Sequence, residues 1–592
     1  MTRTRAIVTL TLGENYQRVW QKFCRANWEQ YAARHDADLF VFEHDLDDSP
    51  RAHARQKSWQ KLLVLGQPQV RAYAQVVWLD ADVLIHPRAP WIGEDVPFEK
   101  VGAADEYGYP TPAHYHRAIL QLYQLWKSRG LAYGDNPTPH TFYRVSGFES
   151  VFDYVVQAGI MVLAPKHHHE IFEHVYFRYE EGNFGGLNAE MRPLSYELLK
   201  ADCVYWLAPR WNALWLIEKQ LRYPFLFSEV AHPLLAQCLT RALSENYMLH
   251  CAGAGHEVAY IDWRAPQLQR EPTPRVYSAS IPPTAPRCET PVALILFNRP
   301  ETTARVMDAI RAARPRQLFL IADGARADHP DEAARCAEAR AIAWNVQWEC
   351  EVFTNFAETN LGLKSRVETG LDWVFAQVER AIILEDDSVP HVTFFSYCAE
   401  LLERYRDADH VMAISGNDFK FGLGDNADSY TFSRYPLIWG WATWRRAWQL
   451  HDPNMTTLPH AIATSRLEKM LNDPHAAQYW AFVLHDNFKT QTTWDAAWLW
   501  SIWEHDGLCI HPNVNLIENV GFGSDATHTH NAQDFFANLY SEPIQFPLRH
   551  PEHTTRDAHG DALIEEIEFS GSVRRLWERV RADRRARKME AR

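Results

Sequence analysis

The stretch Arg380-Ala-Ile-Ile-Leu-Glu-Asp-Asp-Ser388 is a short apolar run that ends in three consecutive acids, Glu385, Asp386 and Asp387. A run of β-branched and aliphatic residues predicts a strand covered on both faces, and ligands of open α/β sheets collect outside the carboxyl ends of such strands. Adjacent carboxylates repel one another unless a cation lies among them, and their hard oxygens favour Mg²⁺ or Mn²⁺. The stretch therefore predicts a metal site at a strand end, with a solvated acidic turn as the alternative.

A second run with the same ending lies far upstream. Gln75-Val-Val-Trp-Leu-Asp-Ala-Asp-Val-Leu-Ile85 leads an apolar segment into Asp80 and Asp82. This repetition favours the metal interpretation over a solvated turn. Further on, Gln157-Ala-Gly-Ile-Met-Val-Leu-Ala164 is typical of a strand with an internal glycine, where the missing side chain suggests the close approach of a ligand.

Composition narrows the function classes. A chain of 592 residues exceeds one ordinary core, so at least two domains are expected. The net charge of −15 argues against nucleic acid as a partner, because phosphate backbones need a basic surface. Nine scattered cysteines without a CxxC pair indicate neither a disulfide framework nor a zinc site, which suits a reducing cytoplasm. No stretch approaches the roughly 18 apolar residues needed to span a bilayer.

Strand and helix patterns alternate in both halves of the chain. Residues 5–12 predict a strand, 16–34 a helix and 38–42 a second strand, which is a βαβ opening typical of parallel sheets. The next helix is expected at 59–65. We predict an α/β fold with mainly parallel sheets, divided into a first domain at 1–263, a Pro-rich linker at 264–290, a second domain at 291–540 and a tail at 541–592.

The tail carries a basic helical pattern. From Gly571 onward it holds nine Arg or Lys residues against three acids, with Val573, Leu576 and Trp577 on one helical face. Residues 571–592 therefore predict an amphipathic helix that could lie on an anionic membrane, and a solvated or docked helix is the alternative.

Neither half carries a Gly-rich phosphate loop. A lysine-bearing Gly-rich cradle is absent, and GxGxxG does not follow either first strand, since the residues there are Thr11-Leu-Gly-Glu-Asn15 and Asn298-Arg-Pro300. What remains is a diphosphate bridged by a metal that carboxylates hold.

Residues 5 to about 255 resemble nucleotide-sugar glycosyltransferases of the metal-dependent, single-sheet (GT-A-like, Rossmann-related) type. The likeness is to the fungal α-galactosyl/mannosyltransferase group and, more distantly, the glycogenin-like group. The matching pieces are Asn27-Trp-Glu-Gln-Tyr-Ala-Ala-Arg-His-Asp36, Trp78-Leu-Asp-Ala-Asp82, Gln157-Ala-Gly-Ile-Met161, Arg210-Trp-Asn212 and Leu249-His-Cys-Ala-Gly253. The resemblance implies that Asp80, Asp82 and His250 ligate the metal and that transfer retains stereochemistry. Gln157 stands where these families more often have Asn, in a strand that contacts the sugar.

Residues 291 to about 532 resemble a different type, similar to N-acetylglucosaminyltransferase I and bacterial family-two-like transferases. The matching pieces are Phe319-Leu-Ile-Ala-Asp-Gly324, Asn360-Leu-Gly-Leu-Lys364, Glu385-Asp-Asp387, Trp439-Gly-Trp-Ala-Thr-Trp444, Thr493-Trp-Asp-Ala-Ala-Trp498 and Asn519-Val-Gly-Phe-Gly-Ser-Asp-Ala-Thr-His-Thr529. The resemblance implies that Asp323 contacts the base or ribose, that Asp387 ligates the metal and that Asp495 is the general base.

The remaining acids and cations of this half are given supporting roles. Glu385 and Asp386 are expected to shape the ribose and water shell, and Lys364 or Arg366 to compensate phosphate charge. A helix N-cap is the alternative for Asp495. The tryptophans at 494, 498, 500 and 503 are expected in a core, the 439–444 segment in a pocket wall, and His528 and His530 on a loop over the nucleotide.

The sequence thus predicts a bifunctional glycosyltransferase with one Mn²⁺ or Mg²⁺ per domain. It would move sugars from nucleotide-diphosphate donors, UDP-sugars favoured, to a glycan or glycolipid acceptor in surface polysaccharide synthesis. Its first half would be retaining and its second inverting. We expect a cytoplasmic protein, with peripheral attachment to the inner face of the membrane as a hypothesis. In the alternative, only the second half is catalytic and the first is a carbohydrate-binding or scaffolding module. A dehalogenase-type phosphatase with Asp80 as nucleophile is disfavoured, because that fold places its DxD at the first strand.

Overall fold

The computed structural model describes the chain over the following residues: 4–131, 136–149, 151–180, 189–227, 233–275, 287–424, 427–522, 535–537, 539–569, 571, 573–575 and 577–578. The chain divides into two compact units, Met1–Ala279 and Ser280–Arg592. The predicted domain limits stay a prediction, since the middle of the linker lies outside the described residues.

The first unit is built on a six-stranded sheet and a small three-stranded sheet. Its strands are β1 (Arg5–Leu10), β2 (Ala37–Phe42), β3 (Gln75–Leu79), β4 (Val83–Ile85), β5 (Val101–Asp105), β6 (Val156–Leu163), β7 (Val204–Trp206), β8 (Ala213–Leu214) and β9 (Met248–His250). The large sheet has the order β2-β1-β3-β6-β5-β7 and the small sheet the order β4-β9-β8. β1 lies parallel to β2 and β3, whereas β6 is antiparallel to β3 and β5. Every residue of β3 is buried, as expected for a strand covered on both faces.

Helices cover this sheet. They are α1 (Glu14–Val19), α2 (Arg25–Arg34), α3 (Pro50–His53), α4 (Pro68–Arg71), α5 (Pro112–Ser128), α6 (Pro139–Arg144), α7 (Pro165–Arg178), α8 (Met191–Lys200), α9 (Trp215–Arg222) and α10 (Leu235–Glu245). The helix predicted at 16–34 is interrupted by a π-helical turn, Trp20–Cys24. The helix predicted at 59–65 is a 3₁₀ helix, Lys57–Gly66, with seven buried residues in succession.

The second unit repeats the layout on an eight-stranded sheet. Its strands are β10 (Val292–Leu296), β11 (Gln317–Ala322), β12 (Glu351–Phe356), β13 (Arg380–Glu385), β14 (Ser388–Pro390), β15 (Val411–Ser415), β16 (Tyr430–Ser433), β17 (Trp441–Trp444), β18 (Leu508–Pro512) and β19 (Ile517–Asn519). The sheet order is β12-β11-β10-β13-β17-β15-β18-β16, and β14 pairs with β19. β13 is parallel to β10 and antiparallel to β17, just as β3 is parallel to β1 and antiparallel to β6. Both acidic strands therefore hold the same place in their sheets.

The helices of the second unit include the predicted tryptophan core. They are α11 (Pro300–Ala313), α12 (Glu332–Trp344), α13 (Leu363–Gln377), α14 (Thr393–Arg404), α15 (Arg445–Trp448), α16 (Leu458–Ala463), α17 (Arg466–Leu471), α18 (Pro474–Thr490), α19 (Asp495–Glu504) and α20 (Ala558–Ile567). All four tryptophans expected in the core, at 494, 498, 500 and 503, are buried. Trp494 stacks on Trp441 of β17 with ring centroids 5.5 Å apart, which fixes the start of α19 against the sheet.

The predicted α/β class is confirmed, although each sheet is mixed on the side beyond its acidic strand. The basic helix predicted at 571–592 lies mostly outside the described residues, as do His528 and His530. In its described fragment, Arg574 and Arg575 pair with Glu566.

Candidate active sites

The first site forms where β3 and the small sheet meet. Asp80 follows β3 directly, and β9 lies antiparallel to β4 so that His250 pairs with Val83, next to Asp82. Nε2 of His250 is 3.4 Å from an oxygen of Asp82 and 3.9 Å from an oxygen of Asp80. The three residues implied as metal ligands are thus neighbours, although they are separated by about 170 positions in sequence.

His250 is held in one orientation by a chain of amides. Its Nδ1 lies 3.0 Å from the side-chain oxygen of Asn212, so this nitrogen donates and Nε2 faces the carboxylates. Asn212 in turn donates to the Gln157 side-chain oxygen at 2.9 Å, and the same oxygen accepts from the Gly159 N–H at 2.6 Å. Gln157 therefore supports His250 in this structure, and its contact with a sugar stays a prediction.

The electrostatics of this trio favour a protonated His250 beside an ionised Asp82. Burial opposes the charged form of His250, but the Asp82 and Asp80 carboxylates raise its pKa above the ordinary value. Burial likewise opposes ionisation of Asp82, yet His250 holds the pKa of Asp82 below its usual range. The trio is therefore held together as an ion pair, and His250 would have to release the proton on Nε2 before that nitrogen could ligate a metal.

Gly159 makes room for the imidazole. A Cβ at this position would overlap Cε1 of His250 and lie 2.9 Å from its Nδ1. The glycine was expected to admit a ligand, whereas the structure shows that it admits His250. The absence of a side chain at Gly159 therefore lets His250, the predicted metal ligand, approach Asp80 and Asp82.

Lys61 is a member of this site that the sequence reasoning missed. Its ammonium lies 3.1 Å from an oxygen of Asp80 and 3.1 Å from an oxygen of Glu190, and its side chain is 6 % exposed. Burial opposes the charge, but Asp80 and Glu190 together raise the pKa of Lys61. The available signal was a lysine, next to Gln60, within the run Trp59–Leu65, whose other residues are all apolar.

Glu106, just beyond β5, is a second residue that was missed. One carboxylate oxygen accepts from the Tyr115 hydroxyl at 2.9 Å, and the other, Oε2, is buried. Burial raises its pKa to about 7, while the charge of His250 acts in the opposite direction. Glu106 therefore places a carboxyl group near the trio, where a hydrogen bond with the Gln157 side chain also lowers its pKa.

The second site lies at the end of β13. Asp387 accepts from Nη1 of Arg299 at 2.5 Å, and the same nitrogen is 3.9 Å from an oxygen of Asp386. Asp386 also accepts from the Phe297 N–H at 2.9 Å. Arg299 follows β10, the parallel neighbour of β13, so a residue of the chain supplies one positive charge at the three-acid edge in this structure.

The acids of this edge act strongly on one another. Burial and the Asp387 and Asp386 charges raise the pKa of Glu385, and the charge of Asp495 adds to the same shift. Burial and Asp387 also raise the pKa of Asp386. The electrostatic effect of Asp495 on Glu385 places the proposed base and the three-acid edge in one neighbourhood, although about a hundred residues separate them in sequence.

Asp495 is the first residue of α19, and its carboxylate is free. The N-cap position belongs to Trp494, and no side chain caps the helix. Within the described part of the chain, the Asp495 carboxylate forms no hydrogen bond or ion pair. The N-cap alternative is therefore wrong, and a partly exposed carboxylate remains available to take a proton.

Asp323 lies at the end of β11 and binds its own loop. Its two oxygens accept from the N–H groups of Gly324, Leu361 and Gly362 and from the Asn360 side chain, at 2.8–3.1 Å. These four donors fill the acceptor capacity of a carboxylate. Contact of Asp323 with a base or ribose stays a prediction, and its role in this structure is to fix loop 360–362 at the sheet edge.

The Lys364 side chain is paired with other groups of the chain in this structure. Its ammonium contacts Glu368 at 2.5 Å and donates to the Pro453 carbonyl at 2.8 Å. Compensation of phosphate charge by Lys364 stays a prediction that requires this ion pair to open.

The donor sets fit a hard divalent cation. Two carboxylates with an imidazole in the first unit, and adjacent carboxylates in the second, are ligand types that Mn²⁺ and Mg²⁺ accept. Among the described residues, the trio whose ligand atoms all come within 4.8 Å of one another is Asp45, Asp48 and His53, at the surface. The ligand atoms of Asp80, Asp82 and His250 do not all lie within that distance of one another, so these side chains must move closer together to bind a cation.

Several solved glycosyltransferases share a partial likeness with this chain. A glycosyltransferase involved in the glycosylation of the major capsid of PBCV-1 has 12% identity, covering 43% of this chain and 98% of its own, with a TM-score of 0.27. The bifunctional glycosyltransferase WbbM has 14% identity, covering 46% of this chain and 52% of its own, with a TM-score of 0.24. The galactosyltransferase LgtC, in complex with donor and acceptor sugar analogues, has 13% identity, covering 41% of this chain and 86% of its own, with a TM-score of 0.22. Likeness at this level carries no argument about activity.

No family model and no curated protein matches the sequence. Among the described residues, no helix is both long enough and apolar enough to cross a bilayer.

Proposed function

We propose that this chain is a glycosyltransferase with two sites, each of which transfers a sugar from a nucleotide-diphosphate donor to a glycan or glycolipid acceptor. UDP-sugars are the donors we favour. The observation that carries the proposal is the carboxylate of Asp495, which does not cap its own helix and whose charge acts on Glu385 at the acidic end of β13.

In the second site, the arrangement supports an inverting transfer. The acceptor hydroxyl oxygen forms the new bond to the anomeric carbon as its proton passes to Asp495. The bond from the anomeric carbon to the diphosphate breaks, and the leaving oxygen keeps the electron pair. Asp387, with Glu385 and Asp386 beside it, would hold the divalent cation that offsets the charge of the diphosphate.

In the first site, Asp80, Asp82 and His250 would hold the corresponding cation, with Asn212 fixing the imidazole. Retaining stereochemistry is proposed here on the resemblance alone. Lys61 keeps Asp80 in place and brings a positive charge to the same edge. The ion pair between Lys61 and Asp80 also supports the alternative. In that case Asp80 stays paired with Lys61 and does not bind a cation, and only the second site is catalytic.

The test is release of UDP from a panel of UDP-sugars by the full chain with Mn²⁺, with products separated by chromatography. We expect Asp80→Ala to remove one product and Asp387→Ala another. Asp409→Ala, which removes a carboxylate that is 95 % exposed, is the matched control. Loss of a product from Asp387→Ala alone would establish the alternative, and no release from any donor would refute the proposal.

A further inference from the structure

A cationic edge lies at the far end of the small sheet from the Asp82 carboxylate. It consists of His86, which follows β4, with Arg34, Arg88 and Arg210, and we call it the His86 edge. Asp82 and His86 are four residues apart, so at about 3.3 Å per residue they are separated by at most roughly 13 Å. None of these four residues takes part in the two sites described above.

Backbone hydrogen bonds bring His86 and Arg210 together. The His86 N–H donates to the Tyr247 carbonyl, and the Tyr247 N–H donates to the Arg210 carbonyl, both at 2.9 Å. The Arg210 guanidinium lies over the Tyr247 ring, with Cζ 3.7 Å from the ring centroid. Ile85 is opposite Met248 at the end of the antiparallel pair, so extending the register by one residue places His86 opposite Tyr247 with their side chains on one face.

The other two arginines join through the loop after His86. Arg34 donates to the carbonyls of Pro87 and Ala89, on either side of Arg88. The Arg88 N–H donates to Nδ1 of His86 at 3.0 Å, and the Arg88 guanidinium donates to the Gln269 carbonyl at 3.1 Å.

Two buried nitrogens of this edge have no acceptor among the described residues. Because Nδ1 of His86 accepts a hydrogen bond, the neutral imidazole carries its proton on Nε2, and this nitrogen is buried without a partner. Nε of Arg210 is buried without a partner as well. His86 itself is only 1 % exposed. Buried donors that lack an acceptor are costly, and beside three guanidinium groups an anion would supply both acceptor oxygens and the opposite charge.

The charges of the His86 edge also favour binding of an anion. Burial lowers the pKa of His86 to about 4, and Arg210, Arg34 and Arg88 add to the shift, so the imidazole stays neutral beside three guanidinium groups. Glu271 is a described acid whose charge acts on Arg34. One carboxylate against three guanidinium groups leaves a local excess of positive charge.

We propose that the His86 edge binds a phosphate group, either as a free phosphate or as the head group of an anionic lipid. A phosphate offers acceptor oxygens to Nε2 of His86 and to several guanidinium N–H groups at once, and guanidinium pairs strongly with phosphate. The site would hold a phosphate-bearing molecule on the first unit, about one short strand away from Asp82.

The experiment titrates inorganic phosphate into the full chain by calorimetry. Arg88→Ala is the test variant, because its side chain is exposed and its removal leaves the core intact. Arg129→Ala is the matched control, since Arg129 is also exposed and also donates to one backbone carbonyl, that of Phe227. We expect Arg88→Ala to weaken phosphate binding at least tenfold, or about 1.4 kcal/mol, and Arg129→Ala to leave it unchanged.

A second arm identifies the source of the phosphate by sedimentation with phosphatidylcholine vesicles, with and without phosphatidic acid. Both variants keep residues 571–592, so the tail contributes equally to each. Weaker vesicle binding by Arg88→Ala alone indicates a lipid head group. Equal vesicle binding, with loss of free phosphate binding in Arg88→Ala, indicates a soluble phosphate.

Thermal unfolding checks that the variants are folded, and Arg88→Gln, which keeps a donor for the Gln269 carbonyl, replaces Arg88→Ala if that variant unfolds. The proposal is overturned if the wild-type chain shows no saturable phosphate binding, or if the Arg88 and Arg129 variants bind phosphate equally.

Discussion

Replacing Gly159 with alanine tests how the first site is assembled. Gly159 lies in β6, where an alanine backbone is allowed, so the substitution acts through its added methyl group alone. That methyl would overlap Cε1 of His250, with Nδ1 2.9 Å away, and it would also lie 2.9 Å from the side-chain oxygen of Gln157. Because Asn212 and the strands on both sides hold the imidazole, it has little room to retreat.

The expected cost follows from overpacking, which amounts to about 1–3 kcal/mol in a well-packed interior. If the added methyl clashes with the His250 imidazole, Gly159→Ala should destabilise the chain much less when His250 is also replaced by alanine. We therefore expect a coupling energy of at least about 1 kcal/mol between the two substitutions, within the range seen for residues in contact. Part of the cost remains in the double variant, because Gln157 is unchanged.

The assay is hydrogen exchange of the full chain followed by mass spectrometry, read on peptides that cover β6 and β9, which reports local opening free energies. A chain of two compact units need not unfold in one step, so this local readout replaces a global midpoint. Additive costs in the double variant would refute the clash with His250. A single Gly159→Ala substitution that leaves protection unchanged would show that the imidazole is not fixed.

Three further outcomes follow from the structure. Asp495→Asn should lower kcat at the second site by about 10²–10⁴-fold and leave donor affinity within twofold, because the carboxylate acts on the acceptor hydroxyl; a similar loss of donor affinity would contradict that role. Gly521→Ala should reduce the product of the second site only, since its Cβ would overlap the carboxylate of Asp387, and equal loss of both products would argue against this cause. Burial lowers the pKa of His168 to about 4, against about 6.5 when unfolded, so the unfolded chain binds the proton more tightly and stability falls as pH drops from 6.5 to 4, by about 3 kcal/mol in full. In hydrogen exchange read on peptides that cover α7 across that pH range, His168→Asn should remove this part of the pH slope of the opening free energy, whereas His167→Asn, at an exposed position, should not. Identical slopes for the two variants would exclude burial as the reason.

The fold class and the location of the acids were predictable because they depend on local pattern. An apolar run of four or five residues that ends in carboxylates specifies a buried strand with polar groups at its end, and both β3 and β13 follow that rule. Parallel neighbours then fix the edge of the sheet at which the acids gather. The approach of Asp495 to Glu385 was inferred from resemblance, since no periodicity links two residues so far apart.

The cations of both sites were not predicted, for a physical reason. Lys61 lies on a 3₁₀ helix in which seven successive residues are buried, so helical spacing does not mark which of them face the sheet. Arg299 directly follows a strand in Asn298-Arg-Pro300, a segment without a Gly-rich motif to mark it as part of a site. Because β10 and β13 are parallel neighbours, residues just after each meet at one edge, and this was the available signal.

The ion pair between Arg299 and Asp387 also bears on folding. A cluster of acids that depended on an external cation would come apart under a chelator, as happens in small domains whose metal supplies the folding energy. Here one compensating charge is covalently part of the chain, so Arg299 offsets the charge of Asp387 as soon as β10 and β13 pair, while burial and Asp387 raise the pKa of Glu385 and Asp386. If the proposed cation binds here, it would replace Arg299 as the counterion of Asp387.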